Sequence, residues 1–342
     1  MKRCSVCVIP ATAKGIQLND QGVCQLCQGY QPFQPKGRDE LMNLIGEYKK
    51  DNTNPEHDCV VPISGGRDSS YVLYYTAKEL GLRPVALHND NDFETPIVKD
   101  NLERVSQALG VPLVRIQSRA NLGKKIVAEK LKMNAPFGPG LVAAQTCEAC
   151  KYGFESASYN YARNNGIGMV VWGDSSYEST SPYYDLVEGA KAPPSKWRRL
   201  LSPGALSLFK YKIYFNKMKE EYGPDTPHNL HEIHMFDYIT WDQDILVNTI
   251  SALGWKAPED SPTSWRVDCK LVPVVDFLTK TAYGVSKIEL GFSNMIRNGK
   301  MDRADAIRKL EQIENNTDPE QIKKTLAEDL TIPASVIKSL IP

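Results

Sequence analysis

The chain is 342 residues long, 42% hydrophobic and 24% charged, the balance of a globular protein with one sizeable core. Lys and Arg together number 41, as do Asp and Glu, so no basic footprint for nucleic acid shows at whole-chain level. No apolar run approaches the ~18 residues of a membrane span, and Met1-Lys2-Arg3-Cys4 lacks a signal peptide's apolar region; a cytoplasmic protein without a membrane partner is expected.

Eight cysteines in such a compartment argue for metal binding or catalysis rather than disulfides. Cys4-x-x-Cys7 and Cys24-x-x-Cys27 have sixteen residues between them, the spacing of a closed tetrahedral Cys4 zinc site. Gly15 and the Asn19–Gly22 turn suit a small ribbon between two knuckles. Zinc would stabilise a segment too short to form its own core. A Cys4 segment over 1–36, a nucleotide-type domain over 37–255 and a helical region over 256–342 are expected.

A helix is read over Asp39 to Lys50 from Leu41, Leu44, Ile45 and Tyr48. Val60 to Ile63 reads as a short buried strand that stops at Ser64-Gly65-Gly66. Asp68, Ser69 and Ser70 then supply helix-start chemistry before an apolar-periodic run from Tyr71 to Leu80. Strand, glycine loop and helix together present backbone N–H groups and a helix N-terminus to a phosphate. The loop is neither a Walker A string nor a dinucleotide fingerprint. Ser64-Gly65-Gly66-Arg67-Asp68-Ser69 instead resembles the PP-loop, Ser-Gly-Gly-x-Asp-Ser, of the N-type ATP pyrophosphatases, which split ATP into AMP and pyrophosphate. Arg67 is expected on the solvent side of this loop.

Further strands are read over Arg83 to His88, ending in Asn89-Asp90-Asn91-Asp92, over Val111 to Ile116, and over Gly168 to Trp172. Helices are read over Glu94 to Leu109, Ala120 to Met133 and Tyr152 to Asn164. This alternation predicts a doubly wound, mostly parallel sheet with α/β architecture. Its ligand would lie beyond the C-terminal strand ends, among Ser64–Ser69, Asn89–Asp92 and Gly173-Asp174-Ser175. The pattern breaks from Pro182 to Pro203, which reads as a long functional loop carrying the basic cluster Lys196–Arg199. Leu206 to Tyr222, 241–254 and most of 267–342 read as helices, with caps at Asp242, Asp302 and Asp318. His228, His231 and His234 are read as surface or packing residues, with Glu232 to Tyr238 extended. Cys59 is read as a core thiol.

Two further strings carry a finer resemblance. Cys4-Ser-Val-Cys7-Val-Ile-Pro with Asn19-Asp-Gln-Gly22-Val-Cys24 is similar to the opening of the N-acetyl sugar amidotransferases. Ile296-Arg297-Asn-Gly299-Lys-Met-Asp-Arg303-Ala-Asp-Ala306 is similar to their closing helices. The resemblance implies replacement of a sugar's acetamido oxygen by ammonia, giving an acetamidino group, in lipopolysaccharide, O-antigen or nonulosonic-acid pathways. A separate glutaminase and a cyclase-like partner would deliver the ammonia, and position 2 is Lys rather than the Cys of an N-terminal-nucleophile glutaminase. It also implies ATP on Ser64, Gly65, Gly66, Arg67, Asp68, Ser69 and Asn89. Asp68 would hold Mg²⁺, with Ser69 and Asp174 as further catalytic candidates.

Cys147-Glu-Ala-Cys150 and Cys269 support a competing reading. Three cysteines suit a second metal, a 4Fe–4S cluster with one open iron, or a persulfide, and resemble the plan of PP-loop enzymes that thiolate tRNA. Sulfur, not ammonia, would then attack the adenylated carbonyl of a tRNA or a small molecule. A plain adenine-nucleotide-binding module is the third reading; it would release no pyrophosphate.

Overall fold

The computed structural model describes residues 2–117, 119–174, 183, 194–258 and 268–341. Its sheet has five strands: β1 (Cys59–Pro62), β2 (Pro84–Asp90), β3 (Leu113–Gln117), β4 (Met169–Trp172) and β5 (His231–His234). They lie in the order β3-β2-β1-β4-β5, every neighbouring pair parallel. The order reverses between β1 and β4, where a parallel sheet opens a crevice beyond its carboxyl ends. β1 delivers Ser64 there and β4 delivers Gly173 and Asp174.

The sheet is covered on both faces, so its strands are apolar and their side chains divide by the period of two. Val60, Val85, Leu87 and Val170 pack against α4 (Leu122–Asn134), α6 (Glu148–Asn164), α8 (Ala205–Tyr222) and α10 (Val272–Tyr283). Cys59, Val61, Ile63, Ala86 and Val171 face α1 (Arg38–Tyr48), α2 (Arg67–Tyr74), α3 (Pro96–Leu109) and α9 (Gln243–Ser251). Cys59 is fully buried, as a core thiol should be. The remaining helices of the described residues are α5 (Pro139–Gln145), α7 (Lys196–Leu200), α11 (Lys287–Arg297), α12 (Arg303–Asn316), α13 (Pro319–Glu328) and α14 (Ala334–Leu340). None is long and apolar enough to cross a membrane.

Asp242, Asp302 and Asp318 each accept the first free N–H groups of α9, α12 and α13, as cap residues do. The cap of α2 differs from the expectation. Its helix begins at Arg67, one residue earlier than Asp68, with Gly66 in the cap position and no side-chain cap. Ser69 and Ser70 turn their hydroxyls back to the Gly66 carbonyl. β2 also runs through Asn89 and Asp90, where a turn was expected. The extended stretch after Glu232 is shorter than its composition suggests: β5 ends at His234 and Met235–Asp237 form a 3-10 turn.

The two ends of the chain meet. Arg303, from the C-terminal string, donates to the Cys7 carbonyl at 3.0 Å and the Cys4 carbonyl at 2.8 Å. Arg3 donates in return to Glu289 of α11 at 2.6 Å, and Val8 joins Ile288, Phe292, Ala306 and Leu310 in one apolar cluster. The N-terminal segment is therefore fixed to α11 and α12 by charge and by burial.

Candidate functional site

The loop after β1 is built around contacts that leave no room for side chains. Gly65 sits at φ +75°, and a Cβ there would lie 3.0 Å from the Val98 carbonyl, so only glycine fits. Its own carbonyl accepts from Trp255 Nε1 at 3.0 Å and Asn101 Nδ2 at 3.4 Å. Ser64 N donates to Ser69 Oγ at 3.2 Å and Gly66 N to Ser64 Oγ at 3.3 Å, which closes the turn on itself. From β4, a Cβ on Gly173 would stand 2.9 Å from Ser69 Cα, so that strand end runs directly under the loop.

Asp68 follows at the start of α2. Its Oδ1 accepts from Trp241 Nε1 at 2.7 Å, and Arg67 Nε lies 3.3 Å from both its oxygens. Arg67 is not on the solvent side. It is 3% exposed, reaches Gln243 at 3.1 Å, and lays its guanidinium 4.9 Å from the centre of the Trp241 ring. A planar cation is weakly hydrated and stacks well, so a tryptophan can bury it.

These residues open into a cavity of about 680 Å³, within the range for nucleotide-sized ligands. Ser64, Gly66, Arg67, Asp68 and Ser69 line one side, and Gly173 and Asp174 the next. Asp174 accepts from His234 Nδ1 at 2.8 Å, and this partner raises the imidazole's pKa. Ser175 lies outside the described residues. Asn91, not Asn89, reaches the cavity; Asn89 is buried with its amide against Gly153 of α6. Asp268 and Asp276, which sequence reasoning missed, are also on the wall. Asp268 Oδ2 lies 3.6 Å from where a Gly66 Cβ would stand. Asp276 accepts from Ile288 N at 3.0 Å, and burial pushes it up to about 6. Oxygen donors from Asp68, Asp174 and Asp268 around one cavity suit Mg²⁺, which takes one or two carboxylates and completes its shell with phosphate and water.

Cys147, Cys150 and Cys269 line the same cavity. Cys147 caps α6 and Cys150 follows one turn on; Cys269 bridges to the backbone of Glu94, and its sulfur accepts from Leu271 N at 3.4 Å. Burial, then the nearness of Cys147 and Cys269, raises the Cys150 thiol well above its ordinary value. The three sulfurs are not as tightly gathered as the N-terminal four.

The other cysteine set is compact. The sulfurs of Cys4, Cys7, Cys24 and Cys27 all lie within 4.8 Å of one another, with 4.0 Å for Cys4 to Cys27, 3.9 Å for Cys7 to Cys24 and 3.5 Å for Cys24 to Cys27. Four sulfurs at ~2.3 Å from a tetrahedral zinc stand ~3.8 Å apart, so the residues fit the ion. Hydrogen bonds from Cys24 and Cys27 pull the Cys7 thiol down, and the same mutual contacts push Cys27 up, so in the absence of a metal one thiolate is held by its protonated neighbours. Among the histidines, His231 stacks on Tyr48 at 4.0 Å and bonds Asp51 at 2.6 Å, while His234 holds Asp174.

No protein-family model matches the chain. An uncharacterized protein of Methanocaldococcus jannaschii is 26% identical over 144 residues, which is 42% of this chain and 45% of that protein, so less than half of the relative's length is spanned. Among solved structures, an NMN synthetase from Francisella tularensis aligns with TM-score 0.38 and 16% identity, over 83% of this chain and 94% of its own. A U34-tRNA thiolase, NcsA, from Methanococcus maripaludis with its 4Fe–4S cluster aligns with TM-score 0.37 and 14% identity, over 91% of this chain and 89% of its own.

Proposed function

We propose that the chain is an ATP-dependent, AMP-forming amidotransferase acting on an N-acetylated, nucleotide-linked sugar. The observation that supports it is the closed Ser64–Ser69 turn, opening with Asp68 into a nucleotide-sized cavity at the sheet's switch point. The acetamido oxygen attacks the α-phosphorus of ATP and pyrophosphate leaves. Ammonia then adds to the activated carbon, AMP departs with the oxygen, and a proton is lost to give the acetamidino group. Loop N–H groups and the start of α2 hold the phosphate charge. Mg²⁺, held by Asp68 with Asp174 or Asp268, would neutralise the pyrophosphate as it leaves. A glutaminase and a cyclase-like partner would supply the ammonia.

A second reading is favoured by a specific observation: Cys147, Cys150 and Cys269 all face the cavity that holds the loop. In that reading sulfur attacks the same adenylated carbonyl. One experiment separates them. Pyrophosphate release is measured with N-acetylated nucleotide sugars and ammonium salt, beside the iron and sulfide content of anaerobically purified protein. Sugar- and ammonium-dependent release without iron supports nitrogen. About four irons, lost with Cys150→Ser, together with no ammonium dependence, moves the assignment to sulfur. No pyrophosphate with sugar and ammonium refutes the nitrogen reading, and none with tRNA and a sulfur donor refutes thiolation of tRNA.

A further inference from the structure

Eight large apolar side chains are exposed among the described residues, and five of them fall between 197 and 213. They are Trp197, Leu201, Leu206, Phe209 and Ile213, each between 53% and 85% exposed. Trp197 is on α7, Leu201 in the turn, and the last three on α8 at i, i+3 and i+7, one continuous stripe. The opposite side of α8 is already satisfied: Leu208 and Met218 are buried, and Tyr211 and Phe215 pack on the core. A helix that is apolar on two sides has one side without a partner.

The charge on this hairpin is strongly one-sided. It holds seven cations, Lys196, Arg198, Arg199, Lys210, Lys212, Lys217 and Lys219, against two carboxylates, Glu220 and Glu221, confined to the last turn of α8, in a chain whose net charge is zero. At about 100° per residue, Lys210 and Lys217 fall on one flank of the stripe and Lys212 and Lys219 on the other. Lys219 turns inward, its ammonium 5.0 Å from the centre of the Phe215 ring; an apolar stripe with Lys210 and Lys217 on one flank and Lys212 on the other is the pattern of a helix lying in a lipid interface. Protein interfaces are depleted in lysine, and nucleic acid does not need five bare apolar side chains.

We propose that the α7–α8 hairpin docks on an anionic membrane surface, with Trp197, Leu201, Leu206, Phe209 and Ile213 entering the headgroup region and the lysines meeting lipid phosphates. This is peripheral binding and needs no spanning segment. It is independent of the reaction assigned to the cavity, since none of these residues lines it.

The full chain is floated with vesicles of phosphatidylcholine alone and of phosphatidylcholine mixed equally with phosphatidylglycerol. Binding to the mixed vesicles is expected, weak on the neutral ones, and reduced by raised salt. Phe209→Ser with Ile213→Ser should cut it about tenfold or more, and Lys210→Gln about fivefold, with unchanged circular dichroism. Absence of binding, or equal binding by the Phe209/Ile213 variant, overturns the proposal. So does a dimer in ultracentrifugation, or retention of a tRNA-length RNA, that the lysine or apolar variants abolish while vesicles stay unbound; the surface then belongs to that partner.

Discussion

Trp241 Nε1 donates to Asp68 Oδ1 at 2.7 Å across 173 positions of sequence. The same indole carries the Arg67 guanidinium on its face. One residue beyond the sheet thus fixes both charged members of the loop, one by a hydrogen bond and one by stacking.

Asp68→Ala should abolish pyrophosphate release while leaving the melting temperature within a few degrees of the parent. Trp241→Phe keeps the ring and removes only the donor, so its loss should be smaller. A hydrogen bond to a charged group is worth about 1.5–3 kcal/mol, which converts to roughly ten- to a hundredfold in rate. Turnover by the Asp68 variant would remove the loop from the mechanism.

Gly173→Ala tests the close approach of β4. The added methyl meets Ser69 Cα at 2.9 Å, and backbone cannot yield as a side-chain tip can. A destabilisation of about 1–3 kcal/mol and weaker ATP binding by calorimetry are expected. Normal affinity in a normally stable variant would show that the loop tolerates displacement.

Cys4→Ser should lose metal by elemental analysis and melt at a lower temperature. Glu289→Gln should do so with the metal retained, because it takes away the buried carboxylate that Arg3 meets at 2.6 Å. Arg3 keeps Glu314 at 3.5 Å and the Val8 carbonyl at 2.6 Å, so the loss should stay below the roughly 3–5 kcal/mol of a buried charge left wholly unpaired. Metal loss in the Glu289 variant would mean that the docking contact and the cysteine site are not separable.

Asp276 gives a pH dependence with a definite sign. Burial raises its pKa from 3.8 to about 6, so the folded chain holds this proton more tightly than the unfolded one. That contribution is complete below pH 3.8 and is lost as pH rises through about 6. Asp276→Asn cannot ionise and keeps an acceptor for Ile288. Relative to the parent, its melting temperature should therefore be higher in neutral buffer than in mildly acidic buffer. An offset that stays constant with pH would contradict this.

The loop was readable in sequence because its signals are local: an apolar run, two glycines, then a helix. The parallel sheet followed from strands alternating with helices. β5 was readable only in part, as an extended stretch beginning at Glu232 whose end was set too late, since His231-Glu232-Ile233-His234 carries one fully apolar residue and takes its strand bounds from pairing with β4. Arg67 was misplaced because the tryptophan that buries it comes from beyond that strand. Asn89 gave way to Asn91 at the cavity because β2 runs on through Asp90, which keeps Asn89 inside the strand against Gly153 of α6 and makes Asn91 the first residue beyond its carboxyl end. Asp268 carries no motif of its own and reaches the cavity only through the fold.

Arg303 grips carbonyls that lie 296 and 299 positions before it. On a ribosome, the four thiols emerge well before the helices that cover them. At ordinary synthesis speeds that interval is on the order of tens of seconds. During it the cysteine segment has neither α11 nor α12 to lean on, so a captured ion would be its main safeguard against oxidation and proteolysis. Supply of that metal during translation should then govern how much intact protein a cell accumulates.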